Sequence, residues 1–266
     1  MKITIIGGGN MGGSIAKGLT LGSIFKADDI CVVDTNNAVL ESITKFNKKI
    51  NTSNNGGTEA VKNADIILIA VKPWLVNAVI NSIKESLNYE KQLIVSIAAG
   101  VTFEDLKKAL AKTEGYAAPV IFRLMPNIAI SIRQSMTFVA SNNAKEEQTK
   151  LILDIFNELG EAIPIDESLM SAATALSSSG LGFAFRYMRA SVEAGVELGF
   201  FAKQATAIVA QTVKGAAMLL QAQDTHPEIE VDKVTTPGGT TIAGLNEMEA
   251  NGFSNAVIKG IKAAKK

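Results

Sequence analysis

Short apolar runs alternate with helical patterns along the first part of the chain. The runs predict strands at 2–6, 30–34, 65–71, 92–97, 119–124 and 135–140, and helical spacing lies near 11–22, 38–46, 57–63, 74–86, 102–112 and 145–158. Several strands are apolar without interruption, which is typical of strands buried on both faces. We therefore predict an α/β domain over 1–164, with a mostly parallel sheet and helices on both faces.

The pattern changes near residue 168, where strand signals stop. Ala, Met and Leu recur at helical spacing through 168–222, and two more helical stretches follow near 239–251 and 254–264. We predict an all-α domain over 165–266. Helices that are apolar nearly all round must be buried, and about 100 residues without strands are too few to bury two long ones. We expect two chains to interlock through these helices in an obligate dimer, the base of a homo-oligomer.

A glycine motif follows the first predicted strand directly. Residues 2–6 run into Gly7-Gly8-Gly9-Asn10-Met11-Gly12, and a predicted helix follows. This is the strand, G-x-G-x-x-G, helix context of the Rossmann-like dinucleotide-binding domain. Gly7 allows the tight turn, Gly9 lets the backbone approach the pyrophosphate, and Gly12 lets the helix pack on the strand. The alternative is a glycine-rich turn without a ligand.

The end of the second predicted strand indicates which cofactor is preferred. Val32-Val33-Asp34 lies at the distance where an acidic residue binds the ribose hydroxyls of NAD, and no Arg or Lys is adjacent to supply a partner for the 2′-phosphate of NADP. Asp34 therefore favours NADH over NADPH. The alternative is that Asp34 only caps the next helix.

Composition argues against several other classes of protein. Lys+Arg and Asp+Glu each number 26, so no excess of charge favours nucleic acid or an anionic membrane. One cysteine and one histidine leave no basis for a disulfide framework, a metal site or a Ser/His/Asp triad. The long apolar segments 181–201 and 205–220 carry charges and are predicted buried helices, not membrane spans. The first strand starts at residue 2, so we expect no targeting segment and a cytoplasmic location.

A second glycine-rich segment lies near the C-terminus. In 234–245, Thr236-Pro237-Gly238-Gly239 is followed by Thr240-Thr241 and a helical pattern. A helix N-terminus leaves backbone N–H groups free, which suits a carboxylate or a phosphate. The alternative is an ordinary helix start with a threonine N-cap.

Five segments together resemble the pyrroline-5-carboxylate reductase family, along nearly the whole chain. They are 7–12, 70–73 (Ala-Val-Lys-Pro), 96–101, 123–127 and 236–241, the last being similar to the family's P-G-G-x-T signature. The resemblance implies an NAD(P)H-dependent oxidoreductase that reduces the C=N bond of 1-pyrroline-5-carboxylate to L-proline, the last step of proline biosynthesis. It also implies a substrate pocket between the nucleotide domain of one chain and 236–241 of its partner.

The resemblance also assigns roles to residues. Thr241 is the expected catalytic residue, orienting the substrate nitrogen. The expected substrate-binding residues are Thr236, Gly238, Gly239, Thr240 and Thr241. The expected cofactor-binding residues are Gly7, Gly9, Asn10, Met11, Gly12, Asp34, Ala70, Val71, Lys72, Pro73 and Ala98.

The chain departs from the family pattern in three places. Ile128-Ala129 follow Met125-Pro126-Asn127 where the family has Thr-Pro, 177–182 reads Ser-Ser-Ser-Gly-Leu-Gly where the family has Ser-Gly-Ser-Gly-Pro-Ala, and Asp34 departs in the direction of NAD. Two alternatives stay open. One is a related imine reductase or 3-hydroxyacid dehydrogenase, although hydroxyacid members use a lysine that 171–185 lacks. The other is a non-catalytic NAD-binding sensor.

Overall fold

The chain divides into two compact units. The computed structural model describes residues 1–55, 57–112 and 118–265, and the units are Met1–Thr174 and the residues from Ala175 onward. The first unit extends past the last strand because Met170 and Ala173 still pack in its core. The predicted domain division between 164 and 165, at the end of that strand, stays a prediction.

The first unit contains one eight-stranded sheet. Its strands are β1 (Ile3–Ile6), β2 (Ile30–Val33), β3 (Asn51–Ser53), β4 (Ile66–Ile69), β5 (Leu93–Ser96), β6 (Val120–Met125), β7 (Ser135–Asn142) and β8 (Gly160–Pro164), in the order β3-β2-β1-β4-β5-β6-β7-β8. Among the strands of the described residues, only the β6–β7 pairing is antiparallel. The predicted mostly parallel sheet is therefore confirmed, and all six predicted strands are present.

Two strands were not predicted, and both lie at the edges of the sheet. β3 is three polar residues long, and β8 contains a glycine and a proline. Neither has the apolar run that identifies a strand buried on both faces. Their pairing depends on the neighbouring strand, so periodicity in the sequence does not reveal them.

Helices cover both faces of the sheet, as predicted. They are α1 (Asn10–Leu19), α2 (Asn37–Phe46), α3 (Thr58–Lys62), α4 (Val76–Ile83), α5 (Phe103–Leu110), α6 (Glu146–Asn157) and α7 (Met170–Ala173). The predicted helix at 74–86 is α4 with a 3₁₀ turn at each end, Pro73–Leu75 and Lys84–Ser86. Alternate residues of β4 enter two separate cores. Ile66 and Leu68 pack with α1, α2 and α6, whereas Ile67 and Ile69 pack with α3, α4 and α5.

The strand order creates a crevice at one edge of the sheet. β1 lies between β2 and β4, so the chain leaves β1 toward one side and later returns on the other side. The connections after β1 and β4 therefore diverge at the carboxyl ends of these strands. Open α/β sheets bind ligands at such a point. The glycine motif at 7–12 follows β1, and residues 70–73 follow β4.

The second unit is helical. A π-helical segment, Thr174–Ser179, leads into α8 (Gly180–Glu197), α9 (Ala202–Gln223), α10 (Pro227–Lys233), α11 (Thr240–Ala250) and α12 (Phe253–Ala263). α8 and α9 pack closely, since a Cβ on Gly195 would lie 3.0 Å from the Cβ of Ala205. α10 was not predicted, because no helical pattern was recognised between residues 222 and 239. His226 is in fact the N-cap of α10, and Pro227 occupies the first turn, which is a recognised helix-start signal.

The single chain leaves much apolar surface of the helical unit in contact with water. Val192 is the only buried residue of α8 and Ala205 the only one of α9, while α10, α11 and α12 have none. Large exposed side chains include Phe185, Leu198, Phe201, Ile208, Met218 and Ile258. The unit therefore leaves most of its large apolar side chains unburied in a single chain, as expected from its apolar helices. None of the described helices is long and apolar enough to cross a membrane.

A partly buried ion pair fixes the segment by which the chain leaves the sheet. Arg123 on β6 has a side chain only 8% exposed and pairs with Glu167, which lies in a 3₁₀ turn before α7. The same carboxylate oxygen accepts a hydrogen bond from the backbone N–H of Phe103, at 2.7 Å, where α5 begins. One carboxylate therefore joins β6, the start of α5 and the turn leading to α7.

Replacing Glu167 with Ala is expected to destabilise the protein by roughly 2–4 kcal/mol, because the guanidinium of Arg123 stays buried without its partner. Urea unfolding measures the change. Glu104→Ala is the matched control, since its ion pair with Lys108 is exposed and is expected to contribute little to the free energy of unfolding. Equal losses in the two variants would contradict this role of Glu167.

Candidate active site

A groove of about 750 Å³ lies at the carboxyl edge of the sheet in the first unit. Its walls come from the residues that follow β1, β2, β4 and β5, and from one face of α4. The groove therefore occupies the crevice that the strand order creates. Its volume is within the range of cofactor pockets.

Backbone packing explains two glycines of the loop after β1. Gly7 has φ +102°, and a Cβ there would lie 2.7 Å from the carbonyl oxygen of Ala70. A Cβ on Gly12 would collide with the carbonyl oxygen of Gly7 and would lie 3.0 Å from the Cβ of Ala70. The tight turn at Gly7 and the close packing of Gly12 are thus as predicted.

Gly9 differs from these two glycines. It lines the groove, and a Cβ at this position would meet no protein atom within 4 Å. Gly9 is also the N-cap of α1, so the first-turn N–H groups of α1 begin beside this open space. No acidic residue occupies the first turn. Free N–H groups and the positive end of the helix dipole make such a helix start suitable for a phosphate.

Asp34 lies at the end of β2 and lines the same groove. Its Oδ2 accepts a hydrogen bond from the backbone N–H of Gly8 at 2.8 Å, and its Oδ1 accepts one from the backbone N–H of Asn36 at 2.8 Å. The N-cap of α2 is Asn36, whose side chain accepts from the N–H of Ala38. The alternative in which Asp34 caps the helix is therefore wrong.

The groove brings most of the predicted cofactor-binding residues together. Gly7, Gly9, Asn10, Met11, Asp34, Ala70, Val71, Lys72, Pro73 and Ala98 all line it. Gly12 lies behind the loop, where it allows the loop and α1 to pack. Their contact with a cofactor stays a prediction.

One wall of the groove was not predicted from the sequence. Leu75, Ala78, Val79 and Ser82 line it from the start and one face of α4. Their spacing of three to four residues places them on one side of a helix. That spacing was visible in the sequence, but which face of α4 meets the sheet and which meets the groove depends on the packing.

The Pro-Gly-Gly segment of the second unit forms a tight turn and then α11. Gly238 has φ +69°, and the N–H of Gly239 donates to the carbonyl of Thr236 at 2.9 Å. Proline followed by a glycine with positive φ is the sequence of a type II turn. The N-cap of α11 is Gly239, with no side-chain capping bond, so the alternative of a threonine N-cap is wrong.

The turn brings the predicted substrate-binding residues to the start of α11. A Cβ on Gly239 would lie 2.5 Å from Oγ1 of Thr236, so the turn has no room for a side chain there. Thr240 and Thr241 are exposed in the first turn of α11, which contains no acidic residue. Backbone N–H groups and two hydroxyls are thus available to an anionic ligand.

A side-chain network precedes this turn. Lys233, at the end of α10, donates to Gln223 at the end of α9 and to Glu230, each at 2.7 Å. The Glu230 carboxylate also accepts a hydrogen bond from the Thr225 hydroxyl. The bond from Lys233, and secondly the bond from Thr225, hold the pKa of the Glu230 carboxyl below its usual value. The network ties α10 to α9 three residues before Thr236.

The departures in 128–129 and 177–182 lie in helical elements. Ile128 begins a 3₁₀ turn, Ile128–Ile132, and is 64% exposed. The Asn127 side chain accepts from the N–H of Ala129 at 3.0 Å and caps that turn. Ser178 lies in the π-helical segment, which is a form of helix often found at functional sites, and Leu181 lies in the first turn of α8.

Comparison with known proteins gives consistent matches. A family model described as pyrroline-5-carboxylate reductase dimerisation matches 167–266, and one described as NADP oxidoreductase, coenzyme F420-dependent, matches 2–100. A pyrroline-5-carboxylate reductase of Methanosarcina acetivorans is 36% identical over 99% of this chain and 97% of its own length. Pyrroline-5-carboxylate reductase 1 of Dictyostelium discoideum is 40% identical over 97% of this chain, which spans about half (48%) of that protein.

Solved structures agree with these matches. A pyrroline-5-carboxylate reductase from Coxiella burnetii superposes with a TM-score of 0.90 at 32% identity, covering 99% of this chain and 95% of the other. A Plasmodium falciparum pyrroline carboxylate reductase solved with NADP bound superposes with a TM-score of 0.84 at 28% identity, covering 99% and 95%.

Gly12→Ala and Gly9→Ala are expected to separate packing from binding. Gly12→Ala should lose about 1–3 kcal/mol in urea unfolding, because the new methyl collides with the loop, despite the better helix propensity of alanine.

Gly9→Ala has room for its methyl and should unfold like the parent. It should bind nicotinamide dinucleotide about tenfold more weakly in a fluorescence titration, since the methyl enters the groove. A destabilised Gly9→Ala variant, or a Gly12→Ala variant as stable as the parent, would contradict these roles.

Proposed function

This chain belongs to the pyrroline-5-carboxylate reductase family, and we propose that it reduces 1-pyrroline-5-carboxylate to L-proline, the last step of proline biosynthesis. The observation that carries the proposal is the start of α11, where Thr236-Pro237-Gly238-Gly239 forms a type II turn and presents Thr240 and Thr241. The same chain contains the groove at the carboxyl edge of its sheet. A hydroxyacid dehydrogenase is not favoured, because 171–185 contains no lysine.

The groove fits a nicotinamide dinucleotide. The space beside Gly9 admits a pyrophosphate, the first turn of α1 supplies N–H donors, and Asp34 supplies acceptors for ribose hydroxyls. Residues 70–73 and Ala98 would hold the nicotinamide half. When bound, the reduced nicotinamide supplies the hydride for the C=N carbon of the substrate.

The residues at the start of α11 bind and orient the substrate. The N–H groups of Gly239, Thr240 and Thr241 hold the substrate carboxylate, with the helix dipole in support. The Thr241 hydroxyl makes a hydrogen bond with the ring nitrogen. An alcohol is a poor general acid, so Thr241 acts by orienting the nitrogen, which takes any proton it needs from solvent. Orientation alone is a large part of such catalysis.

NADH is the proposed preferred cofactor, although the family model is named for NADP and the Plasmodium relative was solved with NADP. The support is electrostatic. A carboxylate at the end of β2 accepts from two ribose hydroxyls and repels a 2′-phosphate. Among the described residues that line the groove, the one cation is Lys72, which follows β4 and not β2.

The protein forms a homo-oligomer, and the proposed unit is an interlocked dimer. The support is the exposed apolar surface of α8, α9 and α12, which water contacts in a single chain. Helices of a second copy would cover it and remove that surface from water. We propose that the groove of one chain and the Thr236 turn of its partner then form a shared site.

Replacing Thr241 with Ala is expected to lower kcat about 10- to 100-fold, because its hydroxyl orients the substrate. The unfolding midpoint is expected to stay unchanged, because Thr241 is exposed. Loss of NADH absorbance with 1-pyrroline-5-carboxylate measures the rate. Wild-type rates in this variant would exclude Thr241 from the mechanism. A parent protein that binds NADH without turnover would indicate the sensor alternative.

Cofactor preference is tested by kcat/KM for NADH and NADPH under identical conditions. We expect the NADH value to be at least as high as the NADPH value. Asp34→Ser should shift the ratio toward NADPH, because the repulsion of the 2′-phosphate is removed. A strong NADPH preference of the parent would mean that this proposal is wrong.

The shared site is tested by mixing two impaired variants, Gly9→Glu and Thr241→Ala, after gentle unfolding and refolding. Half of the dimers should be mixed, and one of their two sites should be intact, so about a quarter of the wild-type activity should return. No recovery in verified mixed dimers would contradict a shared site. A monomer at micromolar concentration by light scattering would contradict the dimer.

A further inference from the structure

We propose that Asp34 is a positioning residue for the glycine loop, in addition to its proposed contact with ribose. By holding the N–H of Gly8, its carboxylate fixes the loop from which α1 starts, and so fixes the N–H groups that face a pyrophosphate. This inference rests on the proposed dinucleotide function of the groove.

The backbone N–H of Gly8 needs a partner inside the protein. Gly8 is buried, and a buried N–H group without a hydrogen bond is costly. The partner is Oδ2 of Asp34 at 2.8 Å, a charged acceptor that makes a stronger bond than a carbonyl does. Removing the carboxylate therefore leaves a buried donor unpaired.

The carboxylate that holds Gly8 is itself fixed in place. Its second oxygen accepts from the N–H of Asn36 at 2.8 Å, and the backbone N–H of Asp34 donates to Ser53 on β3 at 3.1 Å. Asp34 is thus held by β3, the outermost strand of the sheet, and by the backbone of Asn36. Its hydrogen bond with Gly8 in turn holds the loop after β1.

A shift of Gly8 would be passed on to the start of α1. A Cβ on Gly8 would lie 2.9 Å from a methyl of Val39, and the N–H of Gly7 donates to the carbonyl of Val33 at 2.8 Å. Gly9, the N-cap, comes next. The loop packs tightly against Val39 on one side and is held by Asp34 on the other. The N–H groups in the first turn of α1 therefore stay in a fixed orientation.

The two roles of Asp34 are compatible. A carboxylate has about four acceptor positions, of which the N–H groups of Gly8 and Asn36 use two. The others are available to ribose hydroxyls. One side chain thereby links the ribose end of the cofactor site to its pyrophosphate end. A substitution of Asp34 that is designed to favour NADPH would therefore weaken the binding of both cofactors.

Inorganic pyrophosphate separates the two roles because it contains no ribose. If Asp34 acts only on ribose, removing its negative charge should leave pyrophosphate binding unchanged or make it tighter. If Asp34 positions the loop, the same change should make pyrophosphate binding weaker. The two hypotheses therefore predict opposite signs.

The experiment measures pyrophosphate binding by calorimetry for the parent, Asp34→Ala, Asp34→Asn and Asp65→Ala. We expect Asp34→Ala to raise Kd about tenfold. Asp34→Asn keeps an oxygen that can accept from Gly8 and should stay within about twofold of the parent. Asp65→Ala is the matched control, because Asp65 also accepts from a backbone N–H, that of Lys2 at 2.7 Å, but precedes β4 at the opposite edge of the sheet. It should bind like the parent.

Unchanged or tighter binding by Asp34→Ala would overturn the positioning role, whereas a parent that binds pyrophosphate without reducing substrate would overturn the proposed function. Hydrogen exchange of the parent without ligand gives a test that needs no variant to fold. The Gly8 amide should be protected at least tenfold more than the first-turn amides of α1, which lack intrahelical partners. Equal exchange would also overturn the positioning role.

Discussion

The close approach of the backbone after β1 to the backbone after β4 is the constraint on which the structure depends. A Cβ added to Gly7 would lie only 2.7 Å from the carbonyl oxygen of Ala70, and there is no room for a side chain at Gly12 either. This contact places the start of α1 at the point where the strand connections diverge. The groove, its N–H donors and the residues 70–73 opposite them all result from it.

The two units differ in how far they bury their apolar residues. The first unit covers both faces of its sheet with helices and fixes its exit through the Arg123–Glu167 pair. The helical unit keeps large side chains such as Phe201, 80% exposed, in water when the chain is alone. Assembly into a homo-oligomer removes such apolar surface from water.

Strands and helices were predictable wherever their stability comes from local pattern. The six apolar strands and the helices between them have clear periodicity, and the Pro-Gly-Gly turn follows from the φ preferences of proline and glycine. β3 and β8 were missed because edge strands are held by a neighbour and not by their own apolar run. α10 was missed although His226-Pro227 is a helix-start signal, since the short segment lacks an apolar stripe.

The sequence by itself determined the family, the strand–loop–helix context of Gly7, Gly9 and Gly12, and the presence of Asp34 at the end of β2. These features depend on residue type and spacing, which local stereochemistry limits to few structures. Only the tertiary structure decided that α4 forms a wall of the groove and that the Asp34 carboxylate holds the N–H of Gly8. Such contacts join residues distant in sequence, and their geometry is set by the packing of strands and helices, which no local pattern encodes.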